Sequence, residues 1–144
     1  MITQVQIVCP HCNTVNRVEN ARLADRPKCG RCKQELFTLA PVELTVANFE
    51  KNIASNEIPV VVEFWAPWCG VCQKMAPAYQ QAASQLEPRV RLAKVNTEKE
   101  PILAGRFGIR GVPTTIIFKN GMEIARQSGG IDLGTLVRWV QSYS

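Results

Sequence analysis

Residues 58 to 72 read Ile58-Pro59-Val60-Val61-Val62-Glu63-Phe64-Trp65-Ala66-Pro67-Trp68-Cys69-Gly70-Val71-Cys72. The first eight are a near-continuous apolar run, the pattern of a strand buried on both faces. From Cys69 to residue 86, apolar and small residues recur at helical spacing, with Pro77 predicting a kink. A strand feeding straight into a helix puts Cys69 at the helix mouth, where unpaired amides and the partial positive charge favour a thiolate. Cys72 follows three residues on, on the same face, within reach of its partner. A thiol attacks a disulfide only as the thiolate and from an exposed edge, so Cys69 reads as the attacker and Cys72 as the resolver. By itself a Cys-x-x-Cys pair equally describes two small buried hydrophobes. Its setting between strand and helix favours the dithiol/disulfide reading.

Working outward, the periods keep alternating. Residues 42 to 44 look extended, and Thr45 can N-cap a helix to about residue 54. Residues 90 to 95 form a strand, 101 to 107 a short helix, and 114 to 118 a second β-branched strand. Asn120-Gly121 is a hairpin turn into residues 122 to 127. Asp132 then caps a final helix to residue 143 that buries Leu136, Val137, Trp139 and Val140. Strands alternating with helices, then a hairpin and a closing helix, predict an α/β domain with a mixed central sheet and helices on both faces.

The other four cysteines lie in a different setting. Cys9-Pro10-His11-Cys12 and Cys29-Gly30-Arg31-Cys32 are separated by 16 residues in a polar, Arg-rich stretch. That spacing is in the range of zinc sites, and four cysteine thiolates close a tetrahedral, structural Zn²⁺ centre with no position left for water. Two disulfides, or free thiols in a disordered arm, are the competing reading. His11 lies between two ligating cysteines with its ring aimed outward, which marks it as a surface residue. A segment of this size rarely stabilises itself without a metal, disulfide or partner. Strand-like pieces at 7 to 8 and 35 to 37 complete a zinc-ribbon pattern over residues 1 to 37. Residues 38 to 41, ending in Pro41, read as a connector, and 42 to 144 as the second domain.

The formal charge is +5, and a zinc centre with four thiolates lowers it to roughly +3. Residues 1 to 37 hold six Lys/Arg against three Asp/Glu, so the metal-loaded module is near neutral. That balance, without interleaved basic and aromatic residues, argues against nucleic acid. The start, Met1-Ile2-Thr3-Gln4-Val5, has no basic segment followed by an apolar one, and no run approaches membrane-spanning length. The expectation is a cytoplasmic protein, where cysteines serve as metal ligands or transient catalytic thiols.

The stretch Val62-Glu63-Phe64-Trp65-Ala66-Pro67-Trp68-Cys69-Gly70-Val71-Cys72 resembles the active-site strand and loop of the thioredoxin family. The likeness continues through Gly108-Ile109-Arg110-Gly111-Val112-Pro113-Thr114 and Phe118-Lys119-Asn120-Gly121, covering residues 42 to 144. With its four-cysteine module, the chain is similar to the thioredoxin 2 branch of that family. The resemblance implies a thioredoxin fold and a protein-disulfide reductase recharged by an NADPH-dependent thioredoxin reductase. Its substrates would be proteins carrying disulfides, with no bound organic cofactor and a monomeric state. It further implies that Glu63, which composition alone reads as a strand residue turned to water, is the buried acid relaying a proton for Cys72, with Lys94 as its partner. Pro113 would be the family's cis proline, and Val112 would pair through its backbone with an extended substrate. Trp68, Gly129 and Gly130 would complete the apolar surface around the dithiol, although Trp68 also fits a core aromatic. Two positions depart from the family pattern: Val71 stands where proline is usual, restoring an amide hydrogen near the thiolate, and Glu63 stands where aspartate is usual. A zinc-dependent redox sensor or holdase is the alternative reading, and a nucleic-acid or protein recruiter a more distant one.

Overall fold

The computed structural model describes residues 3 to 144; Met1 and Ile2, where the N-terminal module begins as read from sequence, lie outside the described residues. The second part of the chain builds a five-stranded sheet in the order β3-β5-β4-β6-β7. These strands are β3 (Val42–Glu43), β4 (Val60–Trp65), β5 (Arg91–Asn96), β6 (Thr114–Lys119) and β7 (Met122–Ser128). The first three run parallel, and β6 and β7 are antiparallel additions. Central β4 is buried at Val60, Val61, Val62, Glu63 and Phe64, as its unbroken apolar run requires.

Residue alternation along β4 feeds two cores. Val60, Val62 and Phe64 face α1 (Phe49–Ser55) and α3 (Pro101–Arg106), where Phe49, Phe64, Phe107 and Phe118 meet in tilted and edge-on contacts with centroids 5.2 to 5.8 Å apart. Val61 faces α2 (Gly70–Leu86) and α4 (Leu133–Gln141), packing with Met75, Tyr79, Leu92, Ile117, Leu136 and Val140. Tyr79 ties α2 to the sheet, its hydroxyl donating to the Ala93 carbonyl at 2.7 Å and the Val61 carbonyl at 3.1 Å. Helix α2 runs continuously through Pro77. In α4, Leu136 and Val140 are buried while Val137 and Trp139 are only partly covered, a narrower apolar stripe than expected.

Helix α1 begins at Phe49, directly after Asn48, and Thr45 caps the turn that leads into it: its hydroxyl accepts from the Ala47 amide at 3.2 Å, its carbonyl accepts from the Phe49 amide at 2.9 Å, and its own amide donates to Asn48 Oδ1 at 2.7 Å. The two polar residues bond each other, and the helix starts where Phe49 is anchored in the core.

The N-terminal module is a hairpin of β1 (Gln4–Val8) and β2 (Val15–Glu19) followed by a second loop. Strand β2 lies between the two knuckles, where the sequence offers no strand, and the expected strand at 35 to 37 is a single bridge between Lys28 and Glu35. The module sits directly on the sheet domain. Ile58 packs with Ile7, Val18, Leu36 and Phe37, and the amide of Val8 donates to Asn56 Oδ1 at 2.8 Å. Fully buried Arg91 donates from Nη2 to the carbonyls of Leu36 (2.8 Å) and Val8 (3.2 Å). It also pairs with buried Glu87 at 3.4 Å and lies 4.7 Å over the Phe37 ring. The connector is held too: Glu87 accepts from the Leu39 amide and Gln80 donates to the Leu39 carbonyl. Among the described residues, no helix is long and apolar enough to cross a membrane.

Candidate active site and metal centre

The dithiol stands where α2 begins, at the carboxyl end of a central parallel strand, the usual place for function in such sheets. Cys69 is the N-cap, and its sulfur accepts the amide of Cys72 at 3.1 Å. The same sulfur lies 3.6 Å from the carbonyl of Val112. The loop is locked by the Cys69 amide on the Ala66 carbonyl (3.1 Å) and by Gln73 Nε2 on the Pro67 carbonyl (2.8 Å). A sulfur in the N-cap position satisfies an otherwise orphan amide. The donor is the Cys72 amide, not the amide that valine supplies at position 71.

Both thiols are free and nearly covered, Cys69 at 5 % exposure and Cys72 at 4 %. The expected open edge at Cys69 is therefore a narrow one, and the prominent surface belongs to its neighbours: Trp68 is 70 % exposed and Val71 51 %. Trp68 is thus no core aromatic. Burial pushes the Cys72 thiol up to about 12, with the Cys69 sulfur and the Glu63 charge adding to the shift.

Val112–Pro113 is a cis peptide bond, as is Glu87–Pro88. Val112 is half-buried beside the dithiol, just before β6, and Gly129 donates its amide to the Pro113 carbonyl at 2.8 Å. Gly129 has φ +93°, a left-handed conformation suited to glycine. Gly130 is small for a different reason, since a Cβ there would lie 2.9 Å from Val71 Cγ1. Val71 thus leans across the rim against the 129–130 loop, a contact that sequence spacing gives no means of reading.

Beneath the dithiol is a cavity of about 80 Å³ lined by Glu63, Trp65, Cys72, Gln73, Ala76 and Lys94. Glu63 is 1 % exposed, which rules out the strand residue turned to water. Desolvation pushes its carboxyl from 4.5 to about 7, with Lys94 pulling down and Glu43 pushing up. Lys94 is its cross-strand neighbour on β5, but its ammonium lies 4.5 Å over the Trp65 ring. Among the described residues, Glu63 Oε2 and Thr115 Oγ1, register neighbours on β4 and β6, are both buried without a hydrogen bond. Glu43, exposed on β3, acts on the Glu63 carboxyl from beyond Lys94, and sequence reading missed it. Its signal is present only once pairing puts β3 beside β5.

The second centre joins the two knuckles. Cys9 and Cys29 begin equivalent turns: Asn13 and Lys33 donate back to the carbonyls of Cys9 and Cys29 at 3.0 Å, each with φ near +65°. In each turn an amide also reaches sulfur, His11 to Cys9 at 3.4 Å and Arg31 to Cys29 at 3.3 Å. All four sulfurs lie within 4.8 Å of one another, with Cys9–Cys32 at 3.6 Å and Cys12–Cys29 at 3.7 Å. Zinc–sulfur bonds of about 2.3 Å give a tetrahedron with edges of about 3.8 Å, so the donor set fits one Zn²⁺. His11 is exposed and meets the Glu35 carbonyl at 3.0 Å, outside the sulfur cluster. Asn16, which the sequence does not single out, donates to Cys29 Sγ at 3.5 Å and accepts from the Gly30 amide at 2.9 Å, fixing the second knuckle.

Comparison with known proteins agrees with both centres. The thioredoxin family model matches residues 40 to 142, and that of the thioredoxin 2 N-terminal region matches residues 8 to 34. The chain is 41 % identical over 134 residues to thioredoxin C-3 of Corynebacterium nephridii, covering 93 % of this chain and 92 % of that protein. It is 36 % identical over 104 residues to thioredoxin 1 of a Nostoc species, covering 72 % and 97 %. With the M-type chloroplastic thioredoxin of Chlamydomonas reinhardtii the identity is 32 % over 129 residues, covering 88 % and 92 %. The chain belongs to the thioredoxin family: it is a thiol-disulfide oxidoreductase carrying the zinc ribbon of the thioredoxin 2 type.

Proposed function

We propose that this protein reduces disulfides in other proteins through Cys69 and Cys72, with residues 1 to 37 as a structural zinc module, 38 to 41 as its connector and 42 to 144 as the reductase domain. The observation that carries the reading is the Cys69 sulfur, fixed as helix N-cap by the Cys72 amide at 3.1 Å with Cys72 buried behind it. The Cys69 thiolate attacks one sulfur of the substrate disulfide. That bond breaks, and the other substrate sulfur leaves as a thiolate and takes up a proton. In the mixed disulfide, Cys72 gives its proton to the Glu63 carboxylate across the shared cavity and attacks Cys69 Sγ. The second substrate thiolate leaves with a proton, so two electrons pass to the substrate and a Cys69–Cys72 disulfide remains. A thiol as weakly acidic as Cys72 needs a nearby base, which is the role of Glu63, with Lys94 tuning its charge.

Val112, ahead of the β6 ladder, offers its backbone to an extended substrate segment, and Pro113 shapes that loop. Trp68, Val71, Gly129 and Gly130 supply flat contact that suits many sequences. NADPH-dependent thioredoxin reductase, acting in the cytoplasm on a monomer, returns the protein to the dithiol. Zinc holds the N-terminal module together when bound through Cys9, Cys12, Cys29 and Cys32. The test is insulin-disulfide reduction driven by a dithiol. Wild type should accelerate it and Cys69→Ser should fall to the uncatalysed rate; equal rates would remove the assignment.

A further inference from the structure

A charged row crosses the face of the sheet under α2 and α4 near the dithiol. Glu43 on β3 and Glu63 on β4 are both register partners of Lys94 on β5, from opposite sides. Residues paired in register point to the same face, so the row holds one cation between two acids and continues to Thr115 on β6. The acids differ in surroundings: Glu63 is buried, whereas Glu43 is exposed on the edge strand. Among the described residues no ion pair joins Lys94 to either. Its ammonium lies over Trp65, two residues beyond Glu63, at the rim of the cavity.

An ammonium shared in this way is held by the ring face and by both acids together. Lys94 draws the carboxyls of Glu43 and Glu63 down alike, against the desolvation that pushes each up. The other groups acting on the row are Cys72 and Tyr79 from α2, and Lys99 and Glu100 beyond β5. Among the described residues, Glu43 alone competes with Glu63 for the same cation from the opposite strand. We propose that Glu43 is a positioning residue for the proton step: by sharing Lys94 it keeps the ammonium from committing to Glu63, and so leaves Glu63 free to take up and release the Cys72 proton.

This inference rests on the buried-acid role of Glu63 and deepens it. The test is a pH titration of the Glu63 side-chain carboxyl by ¹³C NMR in the reduced, full-length, zinc-loaded protein. Wild type, Glu43→Gln, Glu43→Asp, Lys94→Gln and the Glu43→Gln/Lys94→Gln double variant are compared. Wild type should titrate near 7. Glu43→Gln should lower the midpoint by about half a pH unit or more, while Glu43→Asp should stay close to wild type. In the Lys94→Gln background the same Glu43→Gln change should move the midpoint less than half as far. The pH profile of insulin reduction should shift in the same direction as the carboxyl. An unmoved midpoint in Glu43→Gln, or an equal shift with and without Lys94, would overturn the proposal, the latter by leaving direct repulsion as the whole effect. A wild-type midpoint at the ordinary 4.5 would instead remove the buried acid itself, and this proposal with it.

Discussion

Glu63 holds its proton to about 7 in the folded protein but releases it near 4.5 in the unfolded chain. Stability therefore falls as pH rises between those two values, and the loss is complete above the upper one. The shift corresponds to a penalty on the order of 3 kcal/mol. Urea denaturation of Glu63→Gln should show a much flatter dependence from pH 5 to 8 and a higher midpoint than wild type at pH 8. Parallel curves would mean that the buried carboxyl is not strained by its surroundings. The same variant should lose the fast second step of disulfide transfer, since glutamine cannot take the Cys72 proton. A residue kept at a cost to stability and needed for turnover is characteristic of active sites. In the sequence, Glu63 is visible as one acid in an apolar run. Its burial is not, because the same alternation describes an acid turned to solvent until α2 is known to cover that face.

At the scale of elements, the parts that could be read early are those whose burial is local and continuous. Strand β4 announces itself by an unbroken apolar run, and α4 by Asp132 accepting the Thr135 amide at 2.9 Å ahead of an apolar stripe. Strand β2 does not, since Val15-Asn16-Arg17-Val18-Glu19 becomes a strand only by pairing with β1 in a hairpin closed by the first knuckle. The cap at Thr45 is legible, but the regular helix starts only at Phe49, whose ring partners lie far off in sequence. Helix α4 is held to the domain by few side chains, above all fully buried Leu136. Leu136→Ala should cost about 2 to 5 kcal/mol in chemical denaturation. Its specific reductase activity under native conditions should stay near that of wild type, because the dithiol lies on α2. A loss below 1 kcal/mol would show that α4 is anchored elsewhere.

For the whole molecule, the sequence reads as a small metal module joined by a connector to a second domain. The interface argues for a joint response. Arg91 is buried between the two parts, and its acceptors in the module, Val8 and Leu36, are 83 and 55 residues away in sequence. A charge between Val90 and Leu92 is visible in the sequence, but partners so distant are not. Removing zinc frees the knuckle that begins at Cys9, the residue after Val8, and leaves a buried guanidinium without two of its acceptors, a costly state. All three tryptophans, Trp65, Trp68 and Trp139, report on the sheet domain. Chelation under reducing conditions should therefore lower the urea midpoint followed by tryptophan fluorescence, and identical midpoints would show that the parts are uncoupled. The central claim, that electrons leave through Cys69 with Cys72 behind it, is tested most directly by trapping. Cys72→Ser incubated with a disulfide-bearing protein should accumulate a mixed disulfide that mass spectrometry locates at Cys69, while Cys69→Ser should accumulate none. A stable adduct at Cys72 in the Cys69→Ser protein, with none at Cys69 in the other, would contradict the account.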